Sequence, residues 1–322
     1  MEKKIILLTG AAGFIGHATA RLLMEEGHHV IGVDNLNDYY SVDLKKYRLE
    51  TLRSPNFIFY NIDIENKELL GKTFDLHDFN AVINLAARAG VRPSMDNPFM
   101  YVDTNLTGCL NILEEMRRRK VMKLVQASTS SVYAGLSLPY VEDLPIDTPI
   151  SPYAVSKRAA ELMTYTYHNL YGIDVSVPRY FTVYGPAGRP DMSVYRIIKS
   201  INEGEVFELF GDGSQARDFT YVDDIARGNV AALRNVGFEI FNLGGGNLPC
   251  ELTTIISYVE SKLNKKFLFN TQPFHSADVK STWANIEKAK NILNWEPKIE
   301  LTEGLNRTIE WYLEHREFCE NI

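Results

Sequence analysis

The sequence has few cysteines, no surplus of basic residues and no long apolar run. Cys109, Cys250 and Cys319 lie far apart among its 322 residues and match neither a metal-ligand spacing nor an evident disulfide pattern. The net charge of -7 argues against a general nucleic-acid-binding protein, which would carry a basic surplus or stripe. No segment reaches the ~18 consecutive apolar residues that a membrane-spanning helix needs. We therefore expect a cytoplasmic protein that binds neither nucleic acid nor membrane and that has no metal site.

Internal repeats and low-complexity tracts are also absent from the sequence. The first half instead alternates short apolar segments with longer segments of helical pattern, as in KIILLT followed by FIGHATARLLMEEG. This alternation predicts a parallel sheet with helices on both faces. The second half is less regular, with one further strand in FEIFNLGGG and helices in LTTIISYVESKL and LTEGLNRTIEWYLEHREF. The predicted fold is α/β, a Rossmann-type doubly wound parallel sheet (1–180 plus 219–248) with a smaller mixed α/β C-terminal lobe (181–218 plus 249–322).

A glycine-rich turn follows the first predicted strand. Gly10, Gly13 and Gly16 in TGAAGFIG have the spacing G-x-x-G-x-x-G between a strand and a helix. Glycines there permit a tight turn and a close approach of the backbone to a pyrophosphate. Asp34 ends the second strand, where an acid binds the ribose hydroxyls of NAD and repels the extra phosphate of NADP; Asp63 ends the third. The pattern predicts an NAD site, against the alternatives of a structural turn and a turn-capping aspartate.

Tyr153 and Lys157 in SPYAVSKRAAELM share one helix face because they are four residues apart. Ser151 and Pro152 suit the first positions of that helix. A nearby ammonium, together with a positively charged nicotinamide ring, would lower the pKa of Tyr153 and favour a phenolate that acts as general base. Taken alone, Y-x-x-x-K is common by chance, and the alternative is an ordinary solvated helix turn.

The segment KLVQASTSSVYAG ends an apolar run in four adjacent hydroxyls, Ser128, Thr129, Ser130 and Ser131, with no carboxylate after them. Together with TGAAGFIG and YAVSK, this cluster resembles the extended short-chain dehydrogenase/reductases that act on nucleotide sugars. Within that family, LAARAGVRPSMDNPFMYVDTNLTG, RYFTVYGPAGRPDM and GDGSQARDFTYVDDI are most similar to the UDP-glucuronate 4-epimerases. The resemblance covers essentially the whole chain. It implies NAD-dependent, redox-neutral C4 epimerisation of a UDP-sugar, UDP-glucuronate to UDP-galacturonate, through a 4-keto intermediate.

The resemblance also implies roles for individual residues. Tyr153 would be the base, Lys157 would bind the nicotinamide ribose and tune Tyr153, and Thr129 would hydrogen-bond the reacting hydroxyl. NAD would be lined by Gly10, Gly13, Phe14, Ile15, Gly16, Asp34, Asn35, Asp63, Ile64, Leu85, Ala86, Ala87, Asn105, Tyr153, Lys157 and Phe181. The substrate would be bound by Thr129, Ser130, Ser131, Thr182, Arg189, Arg217 and Asp278, with the last two at the UDP diphosphate and ribose.

Several alternatives stay open at this point. Asn105 would equally well satisfy buried backbone, and Arg88 and Arg92 lie either near the diphosphate or at a subunit edge. Relatives form dimers through helices that correspond to 98–118 and 153–170, which implies a homodimer.

The missing acid bears on the reaction. Related dehydratases carry Asp-Glu just after the threonine, and UDP-glucuronate decarboxylases carry Glu where Ser131 stands, so the sequence favours epimerisation. The alternatives are a 4-epimerase for UDP-glucose or UDP-N-acetylglucosamine, a UDP-glucuronate decarboxylase, and an NAD-sensing binding protein without catalysis.

Overall fold

The computed structural model describes residues 3–274 and 278–322. Within these ranges the strands are β1 (Ile5–Thr9), β2 (His29–Asp34), β3 (Phe57–Asn61), β4 (Ala81–Asn84), β5 (Lys123–Gln126), β6 (Ser128–Thr129), β7 (Asp174–Tyr180), β8 (Thr182–Tyr184), β9 (Val206–Phe210), β10 (Ala216–Arg217), β11 (Phe219–Tyr221), β12 (Phe238–Leu243), β13 (Cys250–Glu251) and β14 (Leu268–Gln272). The α-helices are α1 (Phe14–Glu25), α2 (Val42–Thr51), α3 (Lys67–Leu76), α4 (Val91–Asp96), α5 (Pro98–Val102), α6 (Cys109–Arg119), α7 (Pro152–Tyr171), α8 (Ser193–Glu203), α9 (Val222–Ala231), α10 (Leu252–Leu263), α11 (Glu287–Leu293), α12 (Leu301–Glu314) and α13 (Arg316–Cys319). A π-helical turn spans Asp103–Gly108 and a 3₁₀ turn spans Ser130–Tyr133.

The main sheet is parallel and has the order β12-β7-β5-β4-β1-β2-β3, with β6 paired to β7. The chain runs outward from β1 to β3 and then returns to β4 on the other side of β1. In open α/β sheets, ligands bind outside the carboxyl ends of the strands where this reversal occurs. The predicted doubly wound parallel sheet is confirmed, and its reversal between β1 and β4 defines where the site is expected.

Local sequence explains the elements that border this point. Ile6, Leu7 and Leu8 are completely buried, as expected for a parallel strand covered on both faces. The Ser151 side chain accepts a hydrogen bond from the amide of Ala154 at 3.2 Å, so it caps α7 as predicted. These features fix β1 and α7, the two elements that carry the glycine turn and the Tyr–Lys pair.

The second half of the chain forms small two-stranded sheets, in which β14 pairs with β9, β10 with β13, and β11 with β8. Strands β8 and β11 lie on opposite sides of the predicted boundary at 218/219, yet they pair with each other. The division into two domains stays a prediction. Among the described helices, none combines the length and apolarity needed to cross a bilayer.

Candidate active site

A cavity of about 390 Å³ lies at the carboxyl edge of the sheet. Most residues proposed from the sequence line it. They are Gly10, Gly13, Phe14, Ile15, Gly16, Asp34, Asn35, Asp63, Ile64, Leu85, Ala86, Ala87, Thr129, Ser130, Ser131, Tyr153, Lys157, Phe181, Thr182 and Arg189. Asn105, Arg217 and Asp278 do not line it. The structure therefore brings the glycine turn, the Tyr–Lys pair and the hydroxyl cluster to one space.

The glycine turn leaves room for a ligand close to its backbone. Gly10 has φ +69°, and a Cβ placed on it would lie 2.8 Å from the amide nitrogen of Ala86, so only glycine fits this turn. The following helix, α1, has no acidic residue in its first turn. The N-terminus of α1 therefore has no carboxylate of its own nearby and adjoins glycine backbone that carries no side chains. Such an arrangement suits an anionic group.

The carboxylates at the ends of β2 and beyond β3 are held by their own loops. Asp34 accepts hydrogen bonds from the amides of Ala12 at 3.2 Å and Leu36 at 2.9 Å. Asp63 accepts from the Asn35 side chain at 2.6 Å. Asp34 thus ties the glycine turn to the end of β2, and both carboxylates remain on the cavity wall.

The Tyr–Lys pair faces the hydroxyl cluster. Tyr153 and Lys157 lie on α7, and the hydroxyl of Thr129 lies close enough to Tyr153 to act on its pKa. Thr129 also accepts a hydrogen bond from the amide of Ser131 and donates to its hydroxyl, both at 3.1 Å. Lys157 is only 3% exposed and makes no side-chain hydrogen bond to another described residue. The three groups expected to act on a substrate hydroxyl are therefore together on one wall.

Burial dominates the titration of this pair. It lowers the pKa of Lys157 to about 8, against the opposing effects of Cys109 and Glu161. Burial also raises the pKa of Tyr153, although the nearby hydroxyl of Thr129 and the charge of Arg189 act in the other direction. The predicted lowering of the Tyr153 pKa is thus not produced by the polypeptide alone. The prediction also counted the positive charge of a nicotinamide ring, which the polypeptide does not supply.

A buried ion pair that was not expected from the sequence lies next to the hydroxyl cluster and contacts it. Glu161 and Arg179 are completely buried, and the carboxylate accepts two hydrogen bonds at 2.8 Å from the guanidinium. Glu161 also accepts from the hydroxyl of Ser128 at 2.5 Å. The pair joins α7 to β6 and β7. Its one sequence signal is that Glu161 follows Tyr153 and Lys157 at the same four-residue spacing.

Asp191, which lines the cavity near Arg189, is a second residue that was not expected from the sequence. Its carboxylate binds Arg189 through two hydrogen bonds, at 3.0 and 2.6 Å. The guanidinium also lies 5.5 Å from the centre of the Tyr39 ring. Arg189 is therefore a paired cation, and part of its charge is already compensated before any ligand binds.

A second cavity of about 150 Å³ adjoins the first, since both are lined by Ser130, Ser131 and Thr182. Arg217 and Asp278 line it.

Arg88 and Arg92, for which the sequence allowed two positions, lie at different cavities or their borders. Arg92 forms an ion pair with Asp278 and lies 3.9 Å from the centre of the Phe210 ring. Arg92 therefore contacts a residue of the second cavity, whereas Arg88 lines the main one.

Asn105 has a backbone role in the structure. Its side chain accepts from the amide of Arg88 at 2.8 Å, donates to the carbonyl of Arg88 at 3.0 Å, and donates to Ser156 at 2.9 Å. The alternative reading, that Asn105 satisfies buried backbone, matches these bonds. Asn105 thereby fixes the backbone after β4 and links it to α7.

Comparison with known proteins places this site in a family. Residues 6–244 match the model of the NAD dependent epimerase/dehydratase family. The chain belongs to this family. Another member, the UDP-glucuronate 4-epimerase of Thermodesulfobacterium geofontis (strain OPF15), is 57% identical over 317 residues, which cover 98% of each chain. The family relationship predicted from TGAAGFIG and YAVSK is confirmed.

Two crystal structures of epimerases are similar to the whole chain. UDP-glucuronic acid 4-epimerase from Bacillus cereus, in complex with UDP-glucuronic acid and NAD, has a TM-score of 0.90 and 38% identity over 96% of this chain and 99% of its own. UDP-glucose 4-epimerase from Thermotoga maritima, with UDP-glucose, has a TM-score of 0.87 and 32% identity over 97% of this chain and 99% of its own. This chain thus shares its fold with nucleotide-sugar epimerases.

Proposed function

We propose that this protein epimerises a UDP-sugar at C4, converting UDP-glucuronate to UDP-galacturonate with NAD as a tightly bound cofactor. The observation that carries the proposal is the meeting of Tyr153, Lys157 and Thr129 on one wall of the cavity that also contains the glycine turn. The similarity to the Thermodesulfobacterium geofontis enzyme supports the same substrate. Epimerisation needs these groups and the dinucleotide in a single space, because hydrogen must leave and return at the same carbon.

The residues present fit NAD. The close-packed Gly10 and the N-terminus of α1 would hold its diphosphate, and Asp34 would accept hydrogen bonds from the adenosine ribose hydroxyls. Lys157, which has no side-chain partner among the described residues, would donate to the nicotinamide ribose. When bound, NAD supplies reversible removal of hydrogen with its electron pair from C4 of the sugar.

The protein's own part is proton transfer and orientation. Tyr153 would take the proton of the C4 hydroxyl, with Thr129 holding that hydroxyl in line and the charge of Lys157 favouring the phenolate. The resulting 4-keto sugar would turn about its diphosphate and expose the opposite face of C4 to the returning hydrogen and its electron pair, and Tyr153 would give its proton back to the C4 oxygen. Arg217 and Asp278 in the second cavity would hold the UDP portion throughout, so that remote binding energy retains the intermediate.

Retention of the carboxylate is a further requirement for a uronic acid substrate. Oxidation at C4 creates a β-keto acid, which loses carbon dioxide when its carboxylate bond aligns with the carbonyl π system. Ser130, Ser131 and Thr182 line the cavity as neutral donors that would hold the carboxylate out of that alignment. A carboxylate side chain at either serine position would instead repel the substrate.

One observation favours a second candidate, a 4-epimerase of neutral UDP-hexoses such as UDP-glucose or UDP-N-acetylglucosamine. Arg189, one of the cations that line the cavity, is already paired with Asp191, which reduces its attraction for a sugar carboxylate. The similarity to the Thermotoga maritima UDP-glucose 4-epimerase agrees with this alternative.

Product analysis by NMR tests the proposal. Purified protein is mixed with UDP-glucuronate, and in parallel with UDP-glucose, without added NAD. We expect UDP-galacturonate from the first and little turnover of the second, and a much slower formation of product by the Tyr153→Phe variant. Turnover of only the neutral sugar would favour the second candidate, and a UDP-pentose with carbon dioxide would identify a decarboxylase.

We also propose that the protein is a homodimer. Val155 and Leu162 on α7 are 50% and 51% exposed and lie seven residues apart on one helix face, and Phe99 on α5 is 78% exposed. Apolar side chains in these helices would be covered by the same helices of a second copy. A sedimentation measurement checks this expectation.

We place the protein in the cytoplasm, because its three cysteines are free thiols, as is usual in a reducing compartment.

A further inference from the structure

Arg48 on α2 is completely buried, yet its hydrogen bonds all go to carbonyl and hydroxyl oxygens rather than to a carboxylate. Nε and Nη2 donate to the carbonyl of Ala187 at 3.1 and 2.7 Å, and Nη2 also donates to that of Gly188 at 3.3 Å. Nη1 donates to the carbonyl of Ala12 at 3.1 Å and to the hydroxyl of Tyr40 at 2.7 Å. All the N–H groups of a guanidinium are therefore used.

Apart from Tyr40, these acceptors belong to two loops that border the cavity. Ala12 lies inside the glycine turn, between Gly10 and Gly13. Ala187 and Gly188 directly precede Arg189, which faces the sugar side. Ala187 has φ +52°, a conformation that costs a non-glycine residue free energy and persists only when surrounding contacts hold it. Arg48 supplies such contacts and joins them to the glycine turn.

The planar guanidinium group, with its five N–H donors, explains why an arginine occupies this position. A lysine carries the same charge but has only three N–H donors on a single nitrogen, so it cannot replace all five hydrogen bonds. An apolar side chain would leave the buried carbonyls without donors. If Arg48 only filled space, neither the charge nor the planar shape of its guanidinium would be needed.

We propose that Arg48 is a positioning residue that holds the glycine turn (10–16) and the loop before Arg189 (185–188) in one fixed relation. Retention of NAD and binding of the sugar end of the substrate then depend on the same buried side chain. Arg48 does not line the cavity, so it acts through Ala12 and Ala187 rather than on a ligand. The identity of the two ligands rests on the proposed function.

The test compares Arg48→Lys with wild-type protein in two binding measurements. Calorimetric titration gives the dissociation constant of NAD for cofactor-stripped protein, and steady-state kinetics at saturating NAD give KM and kcat for UDP-glucuronate. We expect the dissociation constant and KM each to rise roughly tenfold or more, because hydrogen bonds from a charged donor are lost. We expect kcat to change little, since Arg48 hydrogen-bonds neither Tyr153 nor Lys157. Arg53→Lys, an exposed arginine just beyond the same helix, is the matched control and should leave both unchanged.

A purely structural role would lower the melting temperature of Arg48→Lys without changing either constant, and that result would overturn the proposal. If Arg48→Lys does not fold, Arg48→Gln decides, because its carboxamide keeps two N–H donors without a buried charge. We expect both constants to rise roughly tenfold or more in that variant too, and wild-type values of both would overturn the proposal. Failure of wild-type protein to turn over UDP-glucuronate would refute the proposed function instead, while the NAD titration would still report on Arg48.

Discussion

Replacement of Lys157 by methionine should stabilise the cofactor-free protein while it abolishes catalysis. Burial lowers the pKa of Lys157 from 10.5 to about 8 in the folded protein, where it makes no side-chain hydrogen bond to another described residue. The difference of roughly 2.5 pH units means that keeping the buried ammonium charged at pH 7 costs about 3 kcal/mol of unfolding free energy. Methionine has a similar length and no charge, so the variant should recover most of that amount.

The sign of the pH dependence gives an independent check. Between pH 8 and 10.5 the unfolded chain keeps the proton on Lys157 and the folded protein releases it. The stability of the wild-type protein should therefore rise with pH across this window relative to Lys157→Met, and the two should converge at its upper end. Urea unfolding of cofactor-stripped protein, followed at several pH values, measures this difference.

Lys123→Met is the matched control for the same chemical change. Lys123 is also buried, but it donates to Asp174 at 2.5 Å and to Ser176 at 2.9 Å. Its removal should destabilise the protein by roughly 3 kcal/mol, because the carboxylate of Asp174 loses its cationic partner. If Lys157→Met proved no more stable than wild type at pH 7, the reasoning that Lys157 is a costly, unpaired charge kept for function would be refuted.

Other variants test the remaining contacts. Glu161→Gln should lower the free energy of unfolding by roughly 3–5 kcal/mol in urea, because Arg179 stays buried without its carboxylate, whereas Glu68→Gln at an exposed pair should leave it nearly unchanged. Burial alone would raise the pKa of Glu161, but the hydrogen bonds from Arg179 outweigh it and lower the pKa overall. The stability that the ion pair contributes should therefore be lost as the pH falls through the lowered pKa of Glu161 in the folded protein. Ser131→Glu should raise KM for UDP-glucuronate about tenfold or more by like-charge repulsion, and an equal effect with UDP-glucose would contradict a carboxylate subsite. Tyr153→Phe should lower kcat by roughly 10²–10⁴-fold in a coupled product assay while bound NAD stays constant.

The fold was predictable from the sequence where its signals are local. Buried apolar runs such as KIILLT mark parallel strands, and the glycine turn and the Ser151 cap mark the boundaries of helices. Pairing in the C-terminal half was not predictable, because the paired residues Val206 of β9 and Leu268 of β14 are 62 residues apart, and no local pattern in either strand indicates its partner. Local pattern thus gave the main sheet, and long-range packing determined the rest.

The same distinction applies to the site. The glycine turn and Y-x-x-x-K are local motifs, each with a defined spacing between its own residues. Both could therefore be recognised from the sequence and expected to lie at one cavity. Arg48 and its acceptor Ala187 are 139 residues apart, and Glu161 and Arg179 meet only because α7 packs on β7. Asp191 is close to Arg189 in sequence, but nothing in the sequence indicates that its carboxylate turns back to bind it. Supporting residues were missed because their partners depend on tertiary structure.

The central claim is that one hydrogen leaves C4 and returns to the same carbon with the opposite configuration, inside a single cavity. UDP-glucuronate labelled with deuterium at C4, incubated with the purified protein and no added NAD, tests this most directly by NMR and mass spectrometry. The predicted product is UDP-galacturonate that keeps deuterium at C4. UDP-galacturonate whose C4 hydrogen comes from the solvent would contradict the account.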